Sequence, residues 1–161
     1  MYNSIKVGMA DYKSSAYPGV LATLGLGSCV GVALYDTSTK VIGLAHIMLP
    51  SSLFARDKDN YAKFADTAIV KLVEDMVKLG ARKEKMIAKL AGGAQMFAFH
   101  EKNDIMKIGV KNVLSSREKL QEMRIPIISE DTGGNYGRTI EFYSEDGRLL
   151  VKTIGYGIKQ I

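Results

Sequence analysis

Apolar and polar positions alternate through "IKVGMADYK", residues 5–13, as in a strand with one buried face, and "VLATLGL", residues 20–26, predicts a second strand that runs out into glycines. "CVGVALYD" and "KVIGLAHIM" are more continuously apolar and rich in β-branched residues. Between them stand the turn formers Asp36, Thr37, Ser38 and Thr39, so this pair predicts a hairpin with His46 on its returning arm. After the polar loop "SSLFARDKDN" the period changes. Phe64, Ala65, Ala68, Ile69, Leu72, Val73, Met76 and Leu79 recur at helical spacing, with Asp59 or Asn60 placed to cap the start and Gly80 the end.

"MIAKLAGGAQMF" predicts a strand entering a glycine turn, and "SSREKLQEM" predicts a second helix opened by the capping-box pair Ser115 and Glu118. "IPIISE" predicts a further strand. In "RTIEFYSEDGRLLVKTIGYG" the dipeptide Asp146-Gly147 lies between two β-rich arms, as a tight antiparallel hairpin requires. About seven or eight short strands with two main helices predict an α+β fold, in which helices cover mixed or antiparallel sheets arranged in layers. No repeat, linker or low-complexity segment divides the chain, so one domain is expected over residues 1–161.

The composition agrees with a folded chain: 47% of the 161 residues are hydrophobic and 24% charged, with 16 glycines and only 3 prolines. A single cysteine cannot form an internal disulfide, and "MYNSIKVGMADYKSS" lacks the apolar core of a signal peptide, so a cytoplasmic protein is expected. No apolar stretch approaches the roughly 18–20 residues of a spanning helix, which argues against membrane insertion. The net charge of +5 suits an acidic partner. Its lysines are scattered, however, and no RNP-like aromatic motif or zinc-finger spacing accompanies them, so nucleic acid is not the expected partner.

The candidate chemistry centres on Cys29, in "LGLGSCVG". A lone cysteine among apolar residues reads either as packing or as a nucleophile. The flanking glycines allow a sharp backbone turn with N–H groups free to face an oxyanion. A hairpin turning near Ser38 brings His46 opposite Val30 to within one residue of register, which makes Cys29 and His46 neighbours. One register step decides whether their side chains share a face. Thr23, ending the preceding strand, could accept from an imidazole N–H. A nearby imidazole is what converts a thiol of ordinary pKa into a nucleophile, although His46 also fits a satisfied core histidine.

Other signals are weaker. His100 lies in a polar turn and reads as solvated, and two histidines with one cysteine do not make a structural zinc site, so no metal is expected. "DTGG", residues 131–134, contains the Asp-Thr-Gly triplet of aspartic proteases but reads better as a glycine turn. "AGGAQMF" lacks phosphate-loop spacing and reads as a strand-end turn near the site.

Taken together, "TLGLGSCVGVALYD", "GLAHIMLP", "KFADTAIVKLVEDM", "KLAGGAQMF", "IGVKNV" and "ISEDTGGNYGR" resemble the CheD family of chemoreceptor glutamine deamidases in order and spacing, over nearly the whole chain. The combination of "GLGSC" with "AH", seventeen residues from Cys29 to His46, is the most specific part. The resemblance implies that Cys29 is the catalytic cysteine, His46 its histidine and Thr23 its threonine. It also implies an oxyanion site in the backbone around Gly27 and Ser28, and a fold similar to the catalytic domain of the cytotoxic necrotizing factor toxins. The implied reaction converts glutamine to glutamate on cytoplasmic helices of methyl-accepting chemotaxis receptors through a cysteine thioester, without a cofactor. The CheC phosphatase is an implied partner, and a regulatory module that binds CheC or receptors with little turnover is the alternative. Transglutaminase or peptidase chemistry would share the same acyl-enzyme.

Overall fold

The computed structural model of the chain describes residues 4–53, 60–96 and 107–161. Among the described residues, ten strands and two α-helices are laid out in three layers: a five-stranded sheet, a second five-stranded sheet, and the helices. The outer sheet has the order β1 (Ser4–Lys6), β3 (Val20–Leu26), β8 (Arg138–Tyr143), β9 (Leu149–Thr153), β10 (Gly157–Gln160). The central sheet has the order β2 (Asp11–Ser15), β5 (Ile42–Ile47), β4 (Val30–Asp36), β6 (Met86–Gly92), β7 (Ile127–Thr132). Each sheet is mixed, with one parallel pair at an edge: β1 with β3, and β6 with β7. This is the α+β layered arrangement that the sequence predicts.

Layering explains the two kinds of strand pattern. β4 and β5 are buried on both faces, so their apolar runs are continuous. One face, with Val30, Val32, Leu34, Ala45 and Ile47, packs on the helices; the other, with Ala33, Tyr35, Ile42 and Leu44, packs on the outer sheet. β8 and β9 have only one buried face and alternate strictly.

Helix α1 (Ala65–Lys78) buries Ala65, Ala68, Ile69, Leu72, Val73 and Met76, the predicted stripe, and ends as expected at Gly80, whose φ is +100°. The N–H groups of Gly80 and Ala81 donate to the carbonyls of Val77 and Met76, closing a Schellman-type cap. Its start differs from the expectation. Asn60 caps a 3₁₀ turn over Tyr61–Lys63, Phe64 precedes α1 without a side-chain cap, and Leu79 is 44% exposed. Asp59 and His100 lie outside the described residues.

Three further expectations change. Residues 5–13 are not one strand: Ala10, at φ +54°, ends the run, and its halves join different sheets as β1 and β2. Helix α2 (Ile108–Glu122) does not open at Ser115, whose Oγ instead donates to the Pro50 carbonyl at 2.6 Å. The earlier turns hold the poor helix former Gly109, tolerated because a Cβ there would meet the Gly93 carbonyl at 2.7 Å; the helix packs that closely on the glycine turn. The Asp146-Gly147 hairpin forms, but as a loop of four residues between the paired Tyr143 and Arg148, with Gly147 at φ +75°.

Candidate active site

The chain crosses from the outer sheet to the central one through Gly27-Ser28-Cys29, between β3 and β4. Before the crossing β3 carries a bulge. Thr23 pairs with Ile140 and Leu26 with Arg138, so Leu24 and Gly25 stand against one residue and are pushed out to solvent. All three carbonyls of the crossing are anchored: Gly27 O accepts from Ala94 N at 2.8 Å, Cys29 O from Gly93 N at 2.8 Å, and Ser28 O from Asn112 Nδ2 at 2.9 Å. The turn at Gly92 and Gly93, at the end of β6, therefore holds the cysteine loop. Gly92, at φ +107°, must be glycine because a Cβ would run into the Cys29 carbonyl.

A trans peptide points its C=O and the next residue's N–H in opposite directions. Anchoring the Gly27 and Ser28 carbonyls therefore turns the N–H groups of Ser28 and Cys29 away from those anchors, and neither has a backbone acceptor among the described residues. The Gly27 N–H is different. It donates to Gly25 O at 3.1 Å, so the donors free for an oxyanion are those of Ser28 and Cys29.

The register of β4 and β5 pairs Gly31 with His46 and Val30 with Ile47. Alternation then sends His46 toward the outer sheet with Ala33 and Tyr35, and continued one step past the strand start it sends Cys29 to the same side. Cys29 indeed packs in the cluster between the sheets, and Gly31 sets no side chain between it and His46. Cys29 is 8% exposed and His46 1%.

Thr23, also buried, reaches His46 from the opposite sheet. Its Oγ1 donates to the Val7 carbonyl at 2.7 Å and lies 2.7 Å from His46 Nδ1. A hydroxyl has one proton, so with that proton on Val7 it can only accept from the imidazole. His46 therefore carries its proton on Nδ1 and presents a bare Nε2. Nε2 is buried with no hydrogen-bond partner among the described residues. Burial pushes the Cys29 thiol up and the His46 imidazole down, so both rest neutral. A neutral thiol and a bare imidazole nitrogen on one face of the sheet are the two parts that general-base activation of a cysteine requires.

The structure thus brings Thr23 into contact with His46 and places Cys29, Ser28 and Gly27 at the same end of the sheet sandwich. Asn112, fully buried on α2, was not among the sequence candidates. Its signal was present: Gly109, Asn112, Val113, Ser116 and Leu120 form a buried helical stripe, and an amide on such a stripe must find partners. Asp131 of "DTGG" is no protease carboxylate. It pairs with buried Arg138 at 3.3 Å and Lys159 at 3.4 Å, while Gly133 and Gly134 make the turn at φ +84° and +73°. No group of three or more His, Cys, Asp or Glu among the described residues is placed to hold a metal ion.

Residues 48–153 match the family described as "CheD chemotactic sensory transduction". A "probable chemoreceptor glutamine deamidase CheD" of Caldanaerobacter subterraneus subsp. tengcongensis is 60% identical over 157 residues, 98% of this chain and 97% of that protein. The "chemoreceptor glutamine deamidase CheD" of Halalkalibacterium halodurans is 49% identical over the full length of both chains, and that of Bacillus subtilis (strain 168) is 49% identical over 98% of this chain and 95% of its own. The family match begins beyond Thr23, Cys29 and His46, but the relatives align across the cysteine crossing as well, and with likeness of that extent the chain belongs to the CheD family.

Proposed function

We propose that this chain is a protein-glutamine deamidase that hydrolyses side-chain amides on the cytoplasmic helices of methyl-accepting chemotaxis receptors, working as one unit in the cytoplasm. The relatives' names support the receptor substrate, and among the described residues no helix is long and apolar enough to cross a membrane. The observation that carries the chemistry is the Thr23–His46 contact, because it leaves Nε2 bare and without a partner among the described residues, on the face of the central sheet toward which Cys29 also points.

In the proposed cycle Cys29 Sγ gives its proton to His46 Nε2 and bonds to the amide carbon of the glutamine. The carbonyl oxygen becomes an oxyanion between the Ser28 and Cys29 N–H groups. The C–N bond then breaks, the proton on Nε2 leaves with ammonia, and a thioester remains. Water gives a proton to Nε2 while its oxygen attacks the thioester carbon. Sγ departs, recovers the proton from His46, and the product is glutamate. Throughout, Thr23 keeps the imidazole in one orientation.

Incubation with a purified chemoreceptor cytoplasmic fragment tests the proposal. Ammonia release together with the mass gain of amide-to-acid conversion is expected, and hydroxylamine should divert the thioester to a hydroxamate. Absence of both products from a folded protein overturns the reading.

A further inference from the structure

Asn112 stands outside the steps just described, yet it is the side chain that connects the two halves of the site. From the second turn of α2 its Nδ2 donates at 2.9 Å to the carbonyl of Ser28, the residue before the nucleophile, and at 3.0 Å to the carbonyl of Met48, two residues beyond the base. Both contacts are to oxygens that can only accept, so the NH2 end of the amide must face them and the orientation is unambiguous. The cost is visible at the other end: Asn112 Oδ1 is buried without a partner among the described residues. Ser116 Oγ donates to the main-chain carbonyl of Asn112 at 2.7 Å, a bond within α2 that leaves Oδ1 without a partner.

We propose that Asn112 is the positioning residue that aims the Cys29 N–H at the reacting carbonyl. The Ser28–Cys29 peptide is planar, so the bond that fixes the Ser28 C=O also fixes the Cys29 N–H on the opposite side. The second bond, to Met48, ties that peptide plane to the end of β5, which carries His46. One amide thus sets the oxyanion donor and the base-bearing strand in a single frame. The inference rests on the deamidase reading above.

Two variants of the full chain test it. Asn112→Ser keeps a polar group but cannot span both carbonyls, and Asn112→Asp keeps the shape while turning an acceptor toward them. Ser115→Ala serves as the control, because it removes the neighbouring α2 bond to Pro50 without touching the cysteine loop. With a chemoreceptor cytoplasmic fragment as substrate, kcat of the Asn112 variants should fall about 100-fold, the effect of misplacing an oxyanion donor, while KM stays within about threefold. Alkylation of Cys29 by iodoacetamide forms no oxyanion, so its rate should stay within about threefold of wild type. Ser115→Ala should keep its kcat.

Equal falls in kcat and alkylation would assign the effect to the thiol and overturn the inference. So would an unchanged kcat in a folded Asn112 variant, or an equal loss in Ser115→Ala. Failure of both Asn112 variants to fold would also overturn it, by making the amide a clamp of the fold. A wild-type chain that releases no ammonia overturns the deamidase reading itself, and the inference with it.

Discussion

The two ends of β4 show opposite uses of buried polar groups. At its C-terminal end the Asp36 carboxylate is fully buried and fully satisfied: Oδ1 accepts from Ser38 N, Ser38 Oγ and Thr39 N at 2.6–2.9 Å, and Oδ2 from Arg82 N at 2.6 Å. These donors hold its pKa at about 2 despite burial, which alone would raise it. At the other end, one strand length away, the carbonyls of the cysteine crossing are satisfied while the Ser28 and Cys29 N–H groups have no backbone acceptor, and the His46 Nε2 no partner, among the described residues. Unpaired buried polar groups cost stability. One end of the strand stabilises the hairpin, and the other, in the proposed function, keeps groups available for a reacting amide.

If that contrast is right, substitutions at the two ends should separate activity from stability. The largest effect is expected at Cys29. Cys29→Ala should abolish ammonia release while its far-ultraviolet spectrum and thermal melt stay near wild type, since a methyl group fills most of the space. Turnover by a folded Cys29→Ala chain would break the comparison at once. His46→Ala should lower kcat by about 100-fold or more, as for loss of a general acid/base, and should also lower the thermal melt, because it removes the Nδ1 bond to Thr23 and leaves a space where a buried ring stood.

At the Asp36 end the pattern should invert. Asp36→Ala should lower unfolding free energy by about 2–4 kcal/mol, through buried donors left without an acceptor, while kcat is retained. Its pH signature has a fixed sign. The carboxyl's folded pKa lies below its unfolded one, so the stabilisation is complete above about pH 4 and is lost as the pH falls toward about 2, about 2 kcal/mol in all. Denaturant melts of wild type and Asp36→Asn should converge across that interval; parallel curves would mean that the carboxylate is not the stabilising group.

The smallest effect sharpens the boundary between the classes. Thr23→Ala removes both the imidazole's acceptor and the donor to Val7, so kcat should fall only about tenfold, with about 1 kcal/mol of stability lost. A melt unchanged by Thr23→Ala together with complete inactivity would give Thr23 a direct part in the reaction.

Most of what the sequence determined by itself is local. The turn formers Asp36 to Thr39 mark the hairpin, the stripe from Ala65 to Met76 with Gly80 marks α1, and the continuous apolar runs of β4 and β5 mark strands buried on both faces. Each follows from the preferences of neighbouring residues. The motifs shared with the CheD family also single out Cys29, His46 and Thr23. Tertiary structure alone decided the rest, because the deciding contacts join residues far apart in the chain. Pairing of His46 with Gly31 selected one of the registers the hairpin allowed, and so the face that Cys29 and His46 share. Packing of Gly109 on the glycine turn carried α2 back to Ile108, seven residues before its apparent cap, and so brought Asn112 to the cysteine loop. Thr23 and His46 meet only because two sheets stack, with Val7 supplying the acceptor from the segment that passes from one sheet to the other. A sequence pattern constrains which face of an element is apolar; which two faces come together depends on non-local packing, and here that packing set the protonation state of the base.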